Sequence, residues 1–306
     1  MIREYKHKNV TWIDLENPTQ EEVRNLSNKY EVDHLTANEL LTPTLRPRVD
    51  YHSNYIYLIL HFPNGHNDDN GFNKKIEEVD FIIGQDFIIT TRYTTIDAIL
   101  EFSKVFEVES ILDKSSMTKH AGYIFYYMIQ NLYKNLNNRL DHVRDVLADV
   151  ENKIFHGEER QMVKELSMLN RLLLNYREST NLHQEILESF EVAGKKFFGA
   201  DFEYHLRSVT GEYYKVRSSM DSAKEYLNEL RDTNDSLLST KQNEVMKILT
   251  ITTFIFLPLS LLAGVFGMNA KFMPVVGQTN DFWIIVLSMA IIATFLFLFF
   301  KIKKWL

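Results

Sequence analysis

A polar amide closes an apolar run in this chain. Residues 264–274 read GVFGMNAKFMP, so Gly267, Met268 and Asn269 end one greasy segment and precede a second. Stepping back from Gly267 by three and four residues in turn gives Gly264, Ser260, Leu257, Thr253, Thr250, Met246 and Asn243, while the positions between them are mostly Ile, Leu and Phe. At that spacing the hydroxyls, amide and glycines form one stripe along a helix. Two uses suit such a stripe. Small residues let helices pack closely inside a bilayer. Alternatively the stripe lines a water-filled pore in which Met246 and Leu257 are constrictions. One helix cannot enclose a pore, so the second use requires a ring of chains.

Both apolar segments must cross a membrane for either use. Stretches 248–266 and 282–300 carry no charge, and each is 19 residues long. That makes about 28 Å of helix, close to one hydrocarbon thickness. Lys241 and Lys247 precede the first span, and Lys301, Lys303 and Lys304 follow the second. The positive-inside rule then puts residues 1–245 and the tail in the cytoplasm of a cell (plasma or inner) membrane, with the connecting loop outside. Trp283 and Trp305 flank span two, where interfacial aromatics belong. Pro258 lies inside span one, where it frees the carbonyl of Phe254 as a kink or a pore-facing acceptor.

The soluble part divides in two. The six prolines are at 18, 43, 47, 63, 258 and 274, which leaves a long gap that permits long helices. Before the gap, NVTWIDLE, YIYLILHF, EEVDFIIG and DFIITTRY read as strands. PTQEEVRNLSNKY and 95–106 read as helices. This predicts an α+β domain over 1–115. After it, Ile129, Leu132, Leu136, Leu140, Val143, Leu147, Val150 and Ile154 recur at helical spacing. Leu166, Leu169, Leu173 and Tyr176 begin a second helix that ends near Gly194, an antiparallel partner of the first. A heptad seam from Phe202 to Leu237 predicts a third. No break separates that helix from span one, so one continuous helix is expected from about 202 to 267. The domains are thus 1–115, a helical hairpin and stalk over 116–245, and a transmembrane hairpin with a short basic tail over 246–306.

Composition narrows the classes of function. Residues 246–306 hold five Lys and one Asp, a net of +4; the whole chain is −7, so 1–245 carry −7 − 4 = −11. Nucleic acid is a poor partner for such a domain, since its phosphates need Lys and Arg. No Cys is present, which removes disulfides, thiolate metal sites and cysteine nucleophiles. The polar start MIREYKHKNV predicts no cleaved signal peptide. No HExxH, Ser-His-Asp or paired-carboxylate pattern stands out, so an enzyme is not expected. HNDDNGFNKKIE, from His66 to Glu77, approximates a calcium loop but reads as a hairpin turn between strands. His61 and His66 read as strand or surface residues.

GMN at 267–269, directly after an apolar helix that follows NEVMKILT (243–250), resembles the CorA magnesium channels and transporters. MP at 273–274 and the KIKKWL tail add to the likeness. The resemblance implies a homopentameric funnel in the lipid bilayer, with first spans ringing a pore and second spans facing lipid. Gly267, Met268 and Asn269 become the selectivity filter, with Asn269 the outer cation site. Asn243, Met246, Leu249, Thr253, Leu257, Ser260 and Gly264 become the pore lining. The stripe gives the same positions except Thr250 for Leu249. Mg²⁺ is the implied cargo, with Co²⁺ and Ni²⁺ as further candidates. It dehydrates reluctantly and keeps several waters, so a ring of Asn oxygens suits its hydrated form.

The resemblance further implies a regulatory Mg²⁺ between protomers, held by Asp97 and a stalk acid. Ser208 occupies the expected stalk position, which leaves Glu203 or Glu212, about one turn away. Asp232 matches an acid of the inner pore mouth, with a solvated stalk charge as the alternative. The outer loop has Val275 where an acid is usual, together with Lys271, and retains only Asp281. No GxxxxGK loop supports a role for ATP, and an inside-negative membrane potential suffices, at about 2.3 kcal/mol per charge per 100 mV. The expected function is passive influx of Mg²⁺ gated by divalent cation. The alternatives are a Zn²⁺ or other divalent transporter, with or without proton coupling, and a non-conducting tethered scaffold or sensor.

Overall fold

The computed structural model describes residues 1–63, 76–112, 119–268, 271, 276–277, 280–303 and 305. Two units result, Met1–Arg231 and Asp232–Leu306. The first holds strands β1 (Ile2–His7), β2 (Val10–Glu16), β3 (Arg48–Tyr51), β4 (Ile56–Pro63), β5 (Ile76–Ile83) and β6 (Phe87–Arg92). They form one sheet in the order β1-β2-β6-β5-β4-β3. Among the described strands only the β2–β6 pair is parallel. All four strands expected from sequence are present. β1 and β3 are additions, and both are edges.

Every residue of β4 is buried because helices cover both faces of the sheet. Helices α1 (Gln20–Tyr30) and α2 (His34–Glu39) lie over one face, on Ile13, Leu15, Tyr57, Ile59, Ile82 and Ile89. Thr19 and Glu22 form a reciprocal capping box that starts α1 where the acidic first turn predicts it. On the other face Trp12 meets Phe102 and Phe106 of α3 (Asp97–Leu112) at ring separations of 5.4 and 5.7 Å. Phe81 meets Phe125 of α4 (Ala121–Phe155) at 5.2 Å, and Phe125 meets Phe190 of α6 (His183–Phe198) at 4.6 Å.

The expected second helix is two. α5 (Glu159–Thr180) ends at a turn, and α6 begins at His183. His183 is wholly buried, and desolvation pushes its pKa down to about 3, so the ring is neutral. Its Nε2 donates to the His61 carbonyl at 2.8 Å, and its Nδ1 accepts from Tyr133 at 2.8 Å. Leucine periodicity runs on past this point, whereas the break depends on a pairing with β4 and α4 that is distant in sequence.

Helix α7 (Glu203–Phe266) is 64 residues long and contains Pro258 without interruption. The predicted heptad residues from Leu206 to Leu230 are buried. α8 (Asp281–Ile302) completes the second unit. Asn269 and the Met273–Pro274 pair lie outside the described residues, as do Val275, His66 and most of the calcium-like loop.

Candidate cation pathway

Two helices, Ala200–Phe266 and Asp281–Ile302, are long and apolar enough to cross a membrane, and almost nothing in their apolar windows is buried within the chain. Neither window is therefore part of this chain's own buried core. Along the apolar part of α7, α8 is the neighbouring helix of the same unit. Between Ile248 and Phe266 of α7 the buried or half-buried positions are Ile251, Ile255, Pro258, Leu259, Leu262 and Phe266. On α8 they are Ile285, Ser288, Met289, Ile292, Ala293, Leu296 and Phe300. Phe254 and Phe300 touch at a ring separation of 6.4 Å. The two stripes therefore form the seam of the hairpin.

At 100° per residue the α8-facing set on α7 centres about 180° away from Thr253, Leu257, Ser260 and Gly264. Those four, with Asn243 and Met246, are exposed. The stripe that carries the polar and small residues is thus the side of α7 that its own chain leaves bare. Leu249 and Thr250, also exposed, sit about 50° to either side of the stripe's centre, so both border it. Pro258 belongs to the α8-facing set, so the carbonyl of Phe254 that it frees lies to the flank, away from the stripe.

Hydroxyl geometry fixes the polarity of this surface. Thr250 and Thr253 donate to the carbonyls of Met246 and Leu249 at 2.7 and 2.9 Å. With each proton turned back into the helix, the outward side of each oxygen is a pure acceptor. A cation's water shell donates hydrogen bonds, so it finds matching partners there.

The helix ends at Phe266, and Gly267 closes its last turn by donating to the Ala263 carbonyl at 2.9 Å. A Cβ at Gly267 would lie 2.9 Å from that same carbonyl oxygen, so only glycine fits without moving backbone. A Cβ at Gly264 would meet nothing within 4 Å of its own chain. Met268 follows as an exposed residue. Asp281, the loop's one acid, accepts from the Gly277 amide at 3.0 Å and the Phe282 amide at 2.7 Å. It fastens the start of α8.

The candidate regulatory acids lie in different surroundings. Asp97 is exposed at the first turn of α3. The segment leading to it is pinned by Arg92, fully buried, whose guanidinium reaches Asp14 and Glu16 at 3.0 Å each and the Thr94 carbonyl at 3.0 Å. Thr95 donates to Glu16 at 2.7 Å. That bond, with the Arg92 charge, holds Glu16 below the usual carboxylate range. Sequence patterning missed this network because it joins β2 to β6 across more than seventy residues; the charged residues inside two strand motifs were its only signal.

Glu203 is bound by Lys195 and Arg207, each at 2.6 Å, and the Lys195 hydrogen bond leads in lowering its pKa. Glu212 pairs with Lys215 at 2.7 Å. Asp232 is exposed. Among the described residues no group of three or more His, Asp or Glu is arranged to hold a metal. His61 is a buried strand residue, 3.1 Å from Glu78.

The family model for CorA-like Mg²⁺ transporter proteins matches residues 7–304. The chain is 25% identical over 297 residues to the cobalt/magnesium transport protein CorA of Thermotoga maritima, covering 97% of this chain and 83% of that protein. The complete structure of the CorA magnesium transporter from Methanocaldococcus jannaschii superposes with a TM-score of 0.84 at 20% identity, covering 97% and 92% of the two chains. The structure of full-length CmaX gives 0.72 at 19% identity, over 97% and 89%.

Proposed function

This chain belongs to the CorA-like Mg²⁺ transporter family, and from that premise we propose that it forms a passive, homopentameric influx channel for Mg²⁺. The observation that carries the reading is the bare acceptor stripe of α7, opposite the face that α8 covers. Five such stripes facing one axis give a bore whose walls accept hydrogen bonds from a hydrated ion. The second spans then lie outside, where Phe282, Trp283, Leu287, Ile291 and Phe295 present exposed apolar surface to lipid. Asn243, Met246, Leu249, Thr253, Leu257, Ser260 and Gly264 line the bore, and Met246 and Leu257 narrow it. Gly264, with open space beside it in one chain, keeps the bore wide. Gly267 and Met268 lead to Asn269, whose side-chain oxygen is the outer site for the hydrated ion.

Conduction needs sites that bind weakly and release quickly. Amide and hydroxyl oxygens meet that need better than carboxylates for an ion that holds its waters. The membrane potential is the drive, with residues 1–245 in the cytoplasm. Asp97 and Asp232 are the acids left exposed to meet cytoplasmic divalent cation, whereas Glu203 and Glu212 must first release their lysines and arginine.

Uptake of Mg²⁺ into proteoliposomes under an inside-negative potential tests this reading, with Asn269→Ala as the comparison. Flux from the natural chain and its loss or altered selectivity in the variant are expected. No flux, or identical flux and selectivity in both, refutes the filter.

A further inference from the structure

On the face of the sheet that α1 and α2 cover, three oxygens from adjacent strands lack a protein partner. They are Tyr57 Oη on β4, Asp80 Oδ1 on β5 and Thr91 Oγ1 on β6, and none has a hydrogen bond among the described residues. All three residues are fully buried. Asp80 stands directly opposite Thr91 in the β5–β6 ladder. Tyr57 stands opposite Ile82, the next residue after Asp80 on that face of β5. Directly opposed side chains lie about 4.5–5.5 Å apart at Cβ, and diagonal ones about 7–8 Å, within reach of a tyrosine. The three oxygens therefore share one small interior region, yet no bond joins any two of them.

The polar groups around them are already engaged. Asp80 Oδ2 takes the Tyr93 hydroxyl at 3.3 Å, and that hydroxyl also lies 3.3 Å from the Glu39 carbonyl. Glu78 accepts from the Thr44 amide at 2.7 Å and lies 3.1 Å from His61 Nε2. Arg48 is held by Glu39 and Asp50. Burial, then the Glu78 charge, raises the Asp80 pKa well above its ordinary value, so this carboxyl is neutral. A neutral carboxyl beside two hydroxyls is a poor cage for a metal ion, which takes ionised oxygens. Among the described residues no group of three or more His, Asp or Glu is arranged to hold one. The fitting occupant is small, neutral and able both to donate and to accept. Buried water has that chemistry and typically makes about three hydrogen bonds to groups of this kind. We infer that one bound water links Tyr57 Oη, Asp80 Oδ1 and Thr91 Oγ1, and so ties β4, β5 and β6 together on their α2 side. Hydroxyls, carboxyl and water can all donate and accept, so the three bonds form whichever Asp80 oxygen carries the proton. The inference is independent of the transport reading.

The full chain in detergent carries the test, with no transport measured, so failure here leaves the channel reading untouched. A crystal structure fine enough to show ordered water should place one peak within about 3.2 Å of all three oxygens. Thr91→Val and Tyr57→Phe each remove one hydroxyl with little change of shape. If both hydroxyls hold the water, each variant should lower the thermal midpoint by about 2–4 °C, the shift expected for one hydrogen bond in a unit of this size. The double variant should lose less than the sum, because both bonds end on the same water. A dry site gives the opposite sign: deleting an unpaired buried hydroxyl leaves the midpoint unchanged or raises it. That result, strictly additive losses, or no peak between the three oxygens would overturn the inference. So would a saturable rise of the midpoint with Na⁺, K⁺ or Mg²⁺ that Thr91→Val abolishes, since the occupant would then be a metal ion.

Discussion

Because the chain contains no cysteine, single cysteines can be placed along α7 without any background thiol. The opposition between its bare stripe and its α8-facing side makes a quantitative prediction for their reactivity. Consider Thr253→Cys, Leu257→Cys, Ser260→Cys and Gly264→Cys against Ile255→Cys, Leu259→Cys, Leu262→Cys and Phe266→Cys. A free thiol has a pKa of about 8.5, so near pH 8 roughly a quarter is the reactive thiolate. In a water-filled bore that fraction is kept. Against α8 and lipid the charged form is penalised by several kcal/mol. Every 1.4 kcal/mol is tenfold, so a penalty of about 3 kcal/mol slows modification about a hundredfold. Reaction of reconstituted protein with a charged, water-soluble thiol reagent, followed by mass spectrometry, should give rates that rise and fall with a period near 3.6 residues. A cationic adduct at Ser260→Cys should also suppress Mg²⁺ flux, since in the proposed pentamer a fivefold ring of positive charge would face a divalent ion. Equal rates on the two sides, or fast reaction centred on Ile255, Leu259 and Leu262, would refute the assignment of the bore.

Three further outcomes follow from the geometry. Gly267→Ala should abolish or strongly reduce flux while leaving assembly by size-exclusion chromatography intact, because its Cβ would press on the Ala263 carbonyl at 2.9 Å and displace the filter; undiminished flux would show that the tight turn is dispensable. Asp14→Asn leaves the fully buried Arg92 without its main countercharge and should cost about 3–5 kcal/mol in the stability of the Met1–Arg231 unit, read as a lowered thermal midpoint; a loss below about 1 kcal/mol would mean Glu16 alone suffices. Asp80 is fully buried beside Glu78, and desolvation, then the Glu78 charge, raises its pKa well above the ordinary value. The unfolded chain therefore sheds this proton above about pH 4 while the folded chain keeps it, so the contribution of Asp80 to stability is present at low pH and falls as pH rises, by at most about 1.4 kcal/mol per pH unit. Asp80→Asn should remove that slope, making the variant's advantage over the natural chain grow from pH 4.5 to 7.5 in parallel melts; an advantage that shrinks over that range would contradict the reasoning.

The central strands were legible because both faces of β4, β5 and β6 are covered, which writes continuous β-branched and aromatic runs into the sequence. β1 and β3 were not, because edge strands alternate with charge: IREYKH and RVDY look like surface loops until β2 and β4 pair with them. α2, only six residues long, gives no full helical period to detect. The α5–α6 break turned on His183 finding Tyr133 and the His61 carbonyl, contacts that no local pattern announces. The stripe on α7 was fully written in the spacing of Thr253, Leu257, Ser260 and Gly264. What covers the opposite side became visible only when α8 folded back on Ile251 and Leu262. The availability of the regulatory acids was likewise hidden, since Glu203 and Glu212 look the same in sequence whether bare or clasped by lysine.

Thr250, Thr252 and Thr253 make the same bond, each hydroxyl turned onto the carbonyl one helical turn earlier. For folding they are interchangeable, and such a back-bond adds little to a helix. They differ only in bearing: Thr252 points about 110° away from the stripe, toward the lipid flank. Drift should therefore treat them unequally. Across descendants of this chain Thr252 is free to become valine or leucine, while Thr253 should accept only residues that still offer oxygen. Thr252 and Thr253 thus form a natural experiment, in which the member off the stripe records the background rate of change and its neighbour records what the proposed bore requires.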